Sequence, residues 1–165
     1  MAVPSPAETA AAEKAKLRGQ FFCQMKESFA DDESVNFIFE YLPGQDLFWV
    51  MQNEMNLKMG RQQNKDWVRF YSAEILVALE ILHENKIIYR DLKPENVVID
   101  GMGHIKLIDF GFAKRLHSSS NPKHHYRTPT NCGTVGYTAP EVMLSLGASF
   151  EADIWSLGIM IAEMI

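Results

Sequence analysis

Between residues 66 and 84, Trp67, Phe70, Tyr71, Ile75, Ala78, Leu79 and Leu82 recur at steps of three and four. That period gathers them on one stripe of a long α-helix, which needs a partner surface to cover it. Short strands flank this helix. Residues 21–29 and 35–41 read as two strands joined by the polar turn Ala30-Asp31-Asp32-Glu33-Ser34. Residues 97–99 and 105–108 read as a second hairpin about Asp100-Gly101-Met102-Gly103. From Glu151 or Asp153 to Ile165 the chain is apolar on nearly every helical face, as in a helix at the centre of a larger body. The mixture is α+β.

The connections follow from local chemistry. Leu42-Pro43-Gly44-Gln45 ends the second strand, since Pro has no N–H and Gly permits a turn. Asp46 is placed to cap a short helix with the apolar face Leu47, Val50, Met51 and Met55. Residues 56–64 are polar and read as a loop; residues 114–130, with Ser118-Ser119-Ser120 and two prolines, read as a mobile loop. Residues 1–20 are Ala-rich. Ser5-Pro6-Ala7-Glu8 has the form of a capping box, but with Leu17 as the one large apolar residue of that helix, a frayed tail is expected.

A net charge of -5 gives no electrostatic footprint for nucleic acid or an anionic membrane, and suits a basic peptide. Cys23 and Cys132 make no disulfide framework, which points to a reducing compartment. The start Met1-Ala2-Val3-Pro4 lacks a basic, apolar leader, and the apolar run at 154–165 is too short to span a bilayer. A soluble, cytoplasmic protein without membrane insertion is expected.

Three motifs stand in order: Tyr89-Arg90-Asp91-Leu92-Lys93-Pro94-Glu95-Asn96, then Asp109-Phe110-Gly111, then Ala139-Pro140-Glu141. Singly, an Arg-Asp pair is a surface ion pair and Asp-Phe-Gly a turn. Together, with a hairpin between the first two, they resemble the catalytic loop, the metal-binding loop and the end of the activation segment of protein kinases, with Tyr in place of the usual His. Phe112-Ala113-Lys114-Arg115 and Cys132-Gly133-Thr134 narrow the resemblance to cyclic-nucleotide-dependent serine/threonine kinases of the AGC group.

The resemblance implies a chemistry for each residue. Asp91 accepts the proton of a substrate hydroxyl, Lys93 offsets charge on the transferred phosphoryl group, and Thr134 bonds both. Asn96 and Asp109 supply oxygen ligands to Mg2+, which prefers hard donors. Residues 40–45 become a hinge, with Phe39 as gatekeeper, the main chain of Glu40 and Leu42 on the adenine edge of ATP, and Val98 beneath it. Asp46 and Glu95 face basic residues of a protein substrate. Thr130 is the activating phosphosite, paired with Arg90 and modified by an upstream kinase. Asp153 accepts hydrogen bonds from the catalytic-loop backbone, and Tyr89, Phe110 and Met25 stack as a spine. His124-His125 reads as a solvated loop pair, and Cys132 carries no assigned chemistry.

The pattern is partial. The expected organisation is an N-terminal tail over 1–20 and a truncated kinase-like domain over 21–165, with the catalytic loop at 89–96 and the activation segment at 109–141. No G-x-G-x-x-G precedes Phe21, no V-A-x-K strand supplies a phosphate-gripping lysine, and Glu13 is a faint match to the Glu that pairs with it. Val135-Gly136 departs from the usual Pro-Glu. Two readings follow: a serine/threonine kinase, with weak or no turnover expected of this chain alone, or a catalytically impaired kinase-like module that binds a partner through apolar surface.

Overall fold

The computed structural model describes residues 19–55, 61–118 and 126–165. The Ala-rich segment up to residue 18, Glu13 within it, and the pair His124-His125 lie outside the described residues.

Strands β1 (Met25–Ala30) and β2 (Val35–Phe39) form an antiparallel hairpin with Ala30 opposite Val35 and Met25 opposite Phe39. The register slips between Met25 and Glu27, and the strand begins four residues later than the apolar pattern suggests. Residues 21–23 are occupied elsewhere: Leu107 N donates to Phe21 O at 2.8 Å and Cys23 N donates to Leu107 O at 3.0 Å. In the turn, one carboxylate does most of the shaping, Asp31 Oδ1 accepting from Glu33 N at 2.9 Å and Ser34 N at 2.8 Å.

The chain then runs against the second hairpin, β4 (Val97–Ile99) with β5 (Ile105–Leu107), paired antiparallel with Val98 opposite Lys106. Ile99 N donates to Gln45 O at 2.9 Å. A Cβ on Gly44 would lie 1.6 Å from Ile99 O, so the close approach of the two backbones admits only glycine there. Asp46 Oδ1 accepts from Trp49 N at 2.8 Å and starts α1 (Leu47–Val50), followed by a π-helical turn at Met51–Met55. Leu47, Val50 and Met51 are buried, as their spacing predicts; the side chain of Met55 is not described.

Helix α2 spans Arg61–Glu84, starting five residues earlier than the expected start at residue 66. Residues 61–65 carry good helix formers but no apolar residue, so periodicity alone reads them as loop. Tyr71, Ile75, Ala78, Leu79 and Leu82 are buried, joined by Val68 and Ile81 at the stripe's margins. Phe70 sits at the edge, 44% exposed, its ring 5.3 Å from Tyr71 and 5.8 Å from His104. Past α2, β3 (Ile87–Ile88) pairs with β6 (Lys114–Arg115). That pairing, and the burial of Leu116 and Thr128, give structure to a stretch whose polarity reads as loop. Short α3 (Pro140–Met143) leads to α4 (Glu151–Met164), which packs on α2.

One core joins these pieces: Leu47, Ile75, Leu79, Tyr89, Leu92, Val97, Ile105, Leu107 and Met160, each at most 1% exposed. Each such aliphatic side chain contributes roughly 1.5–3 kcal/mol on burial. A smaller cluster of Ile88, Leu116, Ala139, Val142, Ala148 and Ala152 fixes the segment before α4. No helix among the described residues is long and apolar enough to cross a membrane.

Candidate active site

The stretch 89–96 leaves β3 in an irregular path that α4 determines. Asp153, 1% exposed, accepts from Tyr89 N at 2.9 Å and Arg90 N at 2.8 Å, and His83 Nε2 lies 2.7 Å from the same carboxylate. Arg90 is held at φ +72°, a conformation that costs a non-glycine residue about 1–2 kcal/mol and needs such support. Its guanidinium donates from Nε to Phe112 O at 2.6 Å and from Nη1 to Thr130 O at 3.3 Å. A Cβ on Gly133 would lie 2.9 Å from Arg90 O, and Gly133 itself has φ +121°, so glycine is required on both counts. Tyr89 is fully buried, with its hydroxyl donating to Ile108 O; burial, then the nearby Asp91, pushes its pKa well up. Its ring meets Phe110 at 5.3 Å, and Phe110 meets Phe22 at 6.0 Å. The third ring on Phe110 is thus Phe22, while Met25, at the start of the slipped strand, is 55% exposed.

Asp91 is 4% exposed and surrounded by donors. Lys93 Nζ lies 3.0 Å from Asp91 Oδ2 and donates to Thr134 Oγ1 at 2.9 Å, and Thr134 Oγ1 donates to Asp91 Oδ1 at 2.6 Å. Asn96 Nδ2 donates to Asp91 Oδ2 at 3.0 Å and to Asp91 O at 2.9 Å. The arrangement holds the Asp91 carboxylate beside the Lys93 ammonium and the Thr134 hydroxyl, a geometry in which it could accept a proton from a hydroxyl brought to it. Thr134 arrives from 43 residues away, so its place beside Asp91 has no local signature.

Asp109 is exposed, has φ +54°, and accepts from Gly111 N at 3.0 Å through Oδ1. Ile108 N donates to Asn96 O at 3.0 Å, tying its strand end to the catalytic loop. With its amide nitrogen given to Asp91, Asn96 keeps its side-chain oxygen as the remaining electron-pair donor atom of the amide. An amide oxygen and a carboxylate are a donor set that fits Mg2+.

Around residues 39–46, Phe39 is 52% exposed, Leu42 and Val98 are half-buried, and Asp46 bridges to Val98. The Glu40 amide is already committed, donating to Gln24 O at 2.9 Å, so of its main chain only the carbonyl is left to meet a ligand. The Glu40 carboxylate accepts from Lys106 Nζ at 2.7 Å, and that contact holds its pKa below the ordinary carboxylate range.

Thr130 stands beside two cations. Arg90 reaches its carbonyl, and Lys114 Nζ lies 3.5 Å from its Oγ1 and 2.8 Å from buried Thr128 Oγ1. Asp46 is engaged as the cap of α1. Glu95 is exposed near Tyr137, whose hydroxyl donates to Glu163 Oε2 at 2.6 Å; burial, then Glu163 and Glu95, raise the pKa of Tyr137. His83, Lys106 and Glu163 carry no motif of their own, and Lys114, though part of the run 112–115, takes no role from it. Each enters the site through a tertiary contact, and no spacing rule points to it.

The model of the protein kinase domain matches residues 6–165. The chain is 42% identical over 145 residues to a cAMP-dependent protein kinase catalytic subunit of Dictyostelium discoideum, covering 88% of this chain and 20% of that protein. It is 44% identical over 145 residues to the human cAMP-dependent protein kinase catalytic subunit PRKX, covering 88% and 37%. It is 40% identical over 151 residues to the serine/threonine-protein kinase YPK1 of Saccharomyces cerevisiae, covering 92% and 21%. The chain therefore spans well under half the length of these relatives.

Proposed function

The chain belongs to the protein kinase family, and from that premise we propose that it transfers the γ-phosphate of ATP to Ser or Thr hydroxyls of protein substrates carrying basic residues. The observation that carries this reading is the closed set of contacts among Asp91, Lys93, Thr134 and Asn96. Asp91 takes the hydroxyl proton as the oxygen attacks the γ-phosphorus, and the proton ends on the Asp91 carboxyl. The bond from that phosphorus to the β–γ bridging oxygen breaks, with its electron pair leaving on ADP. Lys93, held between Asp91 and Thr134, offsets charge gathering on the transferred group, and its fixed position means no reorganisation is needed at the moment of reaction. Asn96 and Asp109 would hold Mg2+, which supplies neutralisation of the phosphate oxygens. The hinge carbonyl of Glu40 and the amide of Leu42 face the adenine edge, with Val98 as floor and Phe39 at the back.

Basic substrate residues are met by Glu95, with Glu163 beside the same Tyr137 and Asp46 further along. Phosphate on Thr130 would sit between Arg90 and Lys114, exchanging the weak contact of Lys114 to the hydroxyl for charge-assisted contacts to both cations and binding the activation segment to the residue next to Asp91.

The test is transfer of radiolabelled γ-phosphate to a basic Ser/Thr peptide. Asp91→Ala is expected to lower the rate at least about a hundredfold with the circular dichroism spectrum retained. Equal labelling by wild type and Asp91→Ala would sink the assignment. Peptide mapping of an active preparation that carries no phosphate at Thr130 would remove the regulatory part. One observation favours the second reading, a partner-binding module without turnover: Met25, Phe29, Val35, Phe37, Ile38 and Phe39 are all at least 45% exposed on one hairpin. That reading takes over where the folded chain shows no transfer.

A further inference from the structure

The backbone at Gln24 and Glu40 breaks the rule of an antiparallel ladder in one atom. A hydrogen-bonded pair of opposed residues exchanges two N–H to O=C bonds. Here one is present, Glu40 N donating to Gln24 O at 2.9 Å. The return bond goes elsewhere: Gln24 N donates to the Glu40 side chain, Oε1, at 3.0 Å. The Glu40 carboxylate has thus taken the place of the Glu40 carbonyl in the ladder. Lys106 holds it there, with Nζ at 2.7 Å from the same oxygen and side-chain exposures of 11% for Lys106 and 21% for Glu40. Among the described residues, the displaced carbonyl keeps one weak neighbour, the Cys23 thiol at 4.0 Å.

We infer that Lys106 and the Glu40 carboxylate are positioning residues for purine selection: by satisfying Gln24 N, they leave the Glu40 carbonyl as an acceptor for the exocyclic amino group of adenine. This rests on the nucleotide reading above and adds Lys106, which none of the motifs contains, and a role for the side chain of Glu40. Lys106 sits opposite Val98 on β4, so the same strand pair that floors the pocket also sets the hydrogen-bonding state of its edge. Without Lys106 the carboxylate, repelled from a half-buried place and drawn to water, leaves Gln24 N to re-form the ordinary ladder bond with Glu40 O. The carbonyl is then spent, and an amino-bearing purine loses its advantage over one bearing an oxygen.

The experiment compares binding of Mg-ATP and Mg-ITP by calorimetry, since inosine carries an oxygen where adenine carries the amino group. Wild type is expected to prefer ATP by about tenfold, and Lys106→Met to reduce that preference about fivefold, with Lys106→Arg restoring most of it. A purely structural role would weaken both nucleotides alike. An unchanged ATP/ITP ratio in folded Lys106→Met overturns the inference while leaving the nucleotide reading intact. If Lys106→Met does not fold, the ratio for Glu40→Ala, which also returns Gln24 N to the carbonyl, decides in the same way. Failure of wild type to bind either nucleotide overturns the nucleotide reading and this inference with it.

Discussion

The loop at 89–96 and the β1–β2 hairpin are made from similar amounts of apolar and polar residue, and they use them oppositely. In the loop, Tyr89 and Leu92 are inside, and the polar residues Asp91 and Asn96 are inside with them, each bonded to a named partner. In the hairpin every residue of β1 is exposed, and the large side chains of β2 face outward. The hairpin is therefore held by its own ladder and by the Asp31 turn, local interactions that need no core. The loop depends on residues that come from far along the chain. Local bonds make a shape; distant ones make a site.

That contrast breaks most visibly at Asp153. Asp153→Ala leaves Tyr89 N and Arg90 N without acceptors in a buried place, and is expected to cost about 3 kcal/mol in denaturant unfolding. A loss under about 1 kcal/mol would mean the loop keeps its shape without α4. A smaller effect tests the strap between α2 and β5. His104 Nδ1 lies 2.6 Å from Glu74 Oε1, and Ile105 N donates to Glu74 Oε2 at 2.9 Å. The Glu74 hydrogen bond, then its charge, raises the pKa of His104 above its ordinary 6.5. A raised folded value means the stabilisation is complete below the ordinary value and disappears as pH rises through the folded one. His104 is about half exposed, so the effect should stay under about 1 kcal/mol between about pH 5.5 and about pH 8.5, and vanish in Glu74→Gln. The smallest effect belongs to the hairpin. Phe37→Thr keeps a β-favouring residue at an exposed strand position, so the denaturation midpoint should move by less than ~0.5 kcal/mol equivalent. A larger drop would show that the outer face is already covered by a neighbour in solution.

The sequence was legible wherever a short-range rule was sufficient. The stripe of α2, the two hairpins and the cap at Asp46 follow from spacing and turn chemistry, and the ordered motifs led to the candidate site because Asp91, Lys93 and Asn96, which are in contact, lie close in sequence. What was illegible had two physical causes, a helix start without apolar residues and contacts between residues far apart in the chain. Residues 61–65 join α2 on propensity alone, without an apolar signature. β6 pairs with β3, and Phe22 reaches Phe110, through partners the local pattern does not reveal. Lys106 and His83 act across 66 and 70 residues, and no window of ten or twenty residues contains both ends of such a contact.

The reach of Asp153 also sets an order in time. It lies 64 residues beyond Tyr89 and 63 beyond Arg90. Chains emerge from synthesis amino end first, and contacts between distant residues form late because long loops must close before the contact repays them. The stretch 89–96 is thus born without the acceptor that fixes it. It waits for α4 while the earlier hairpin, whose partners are a few residues apart, has already closed.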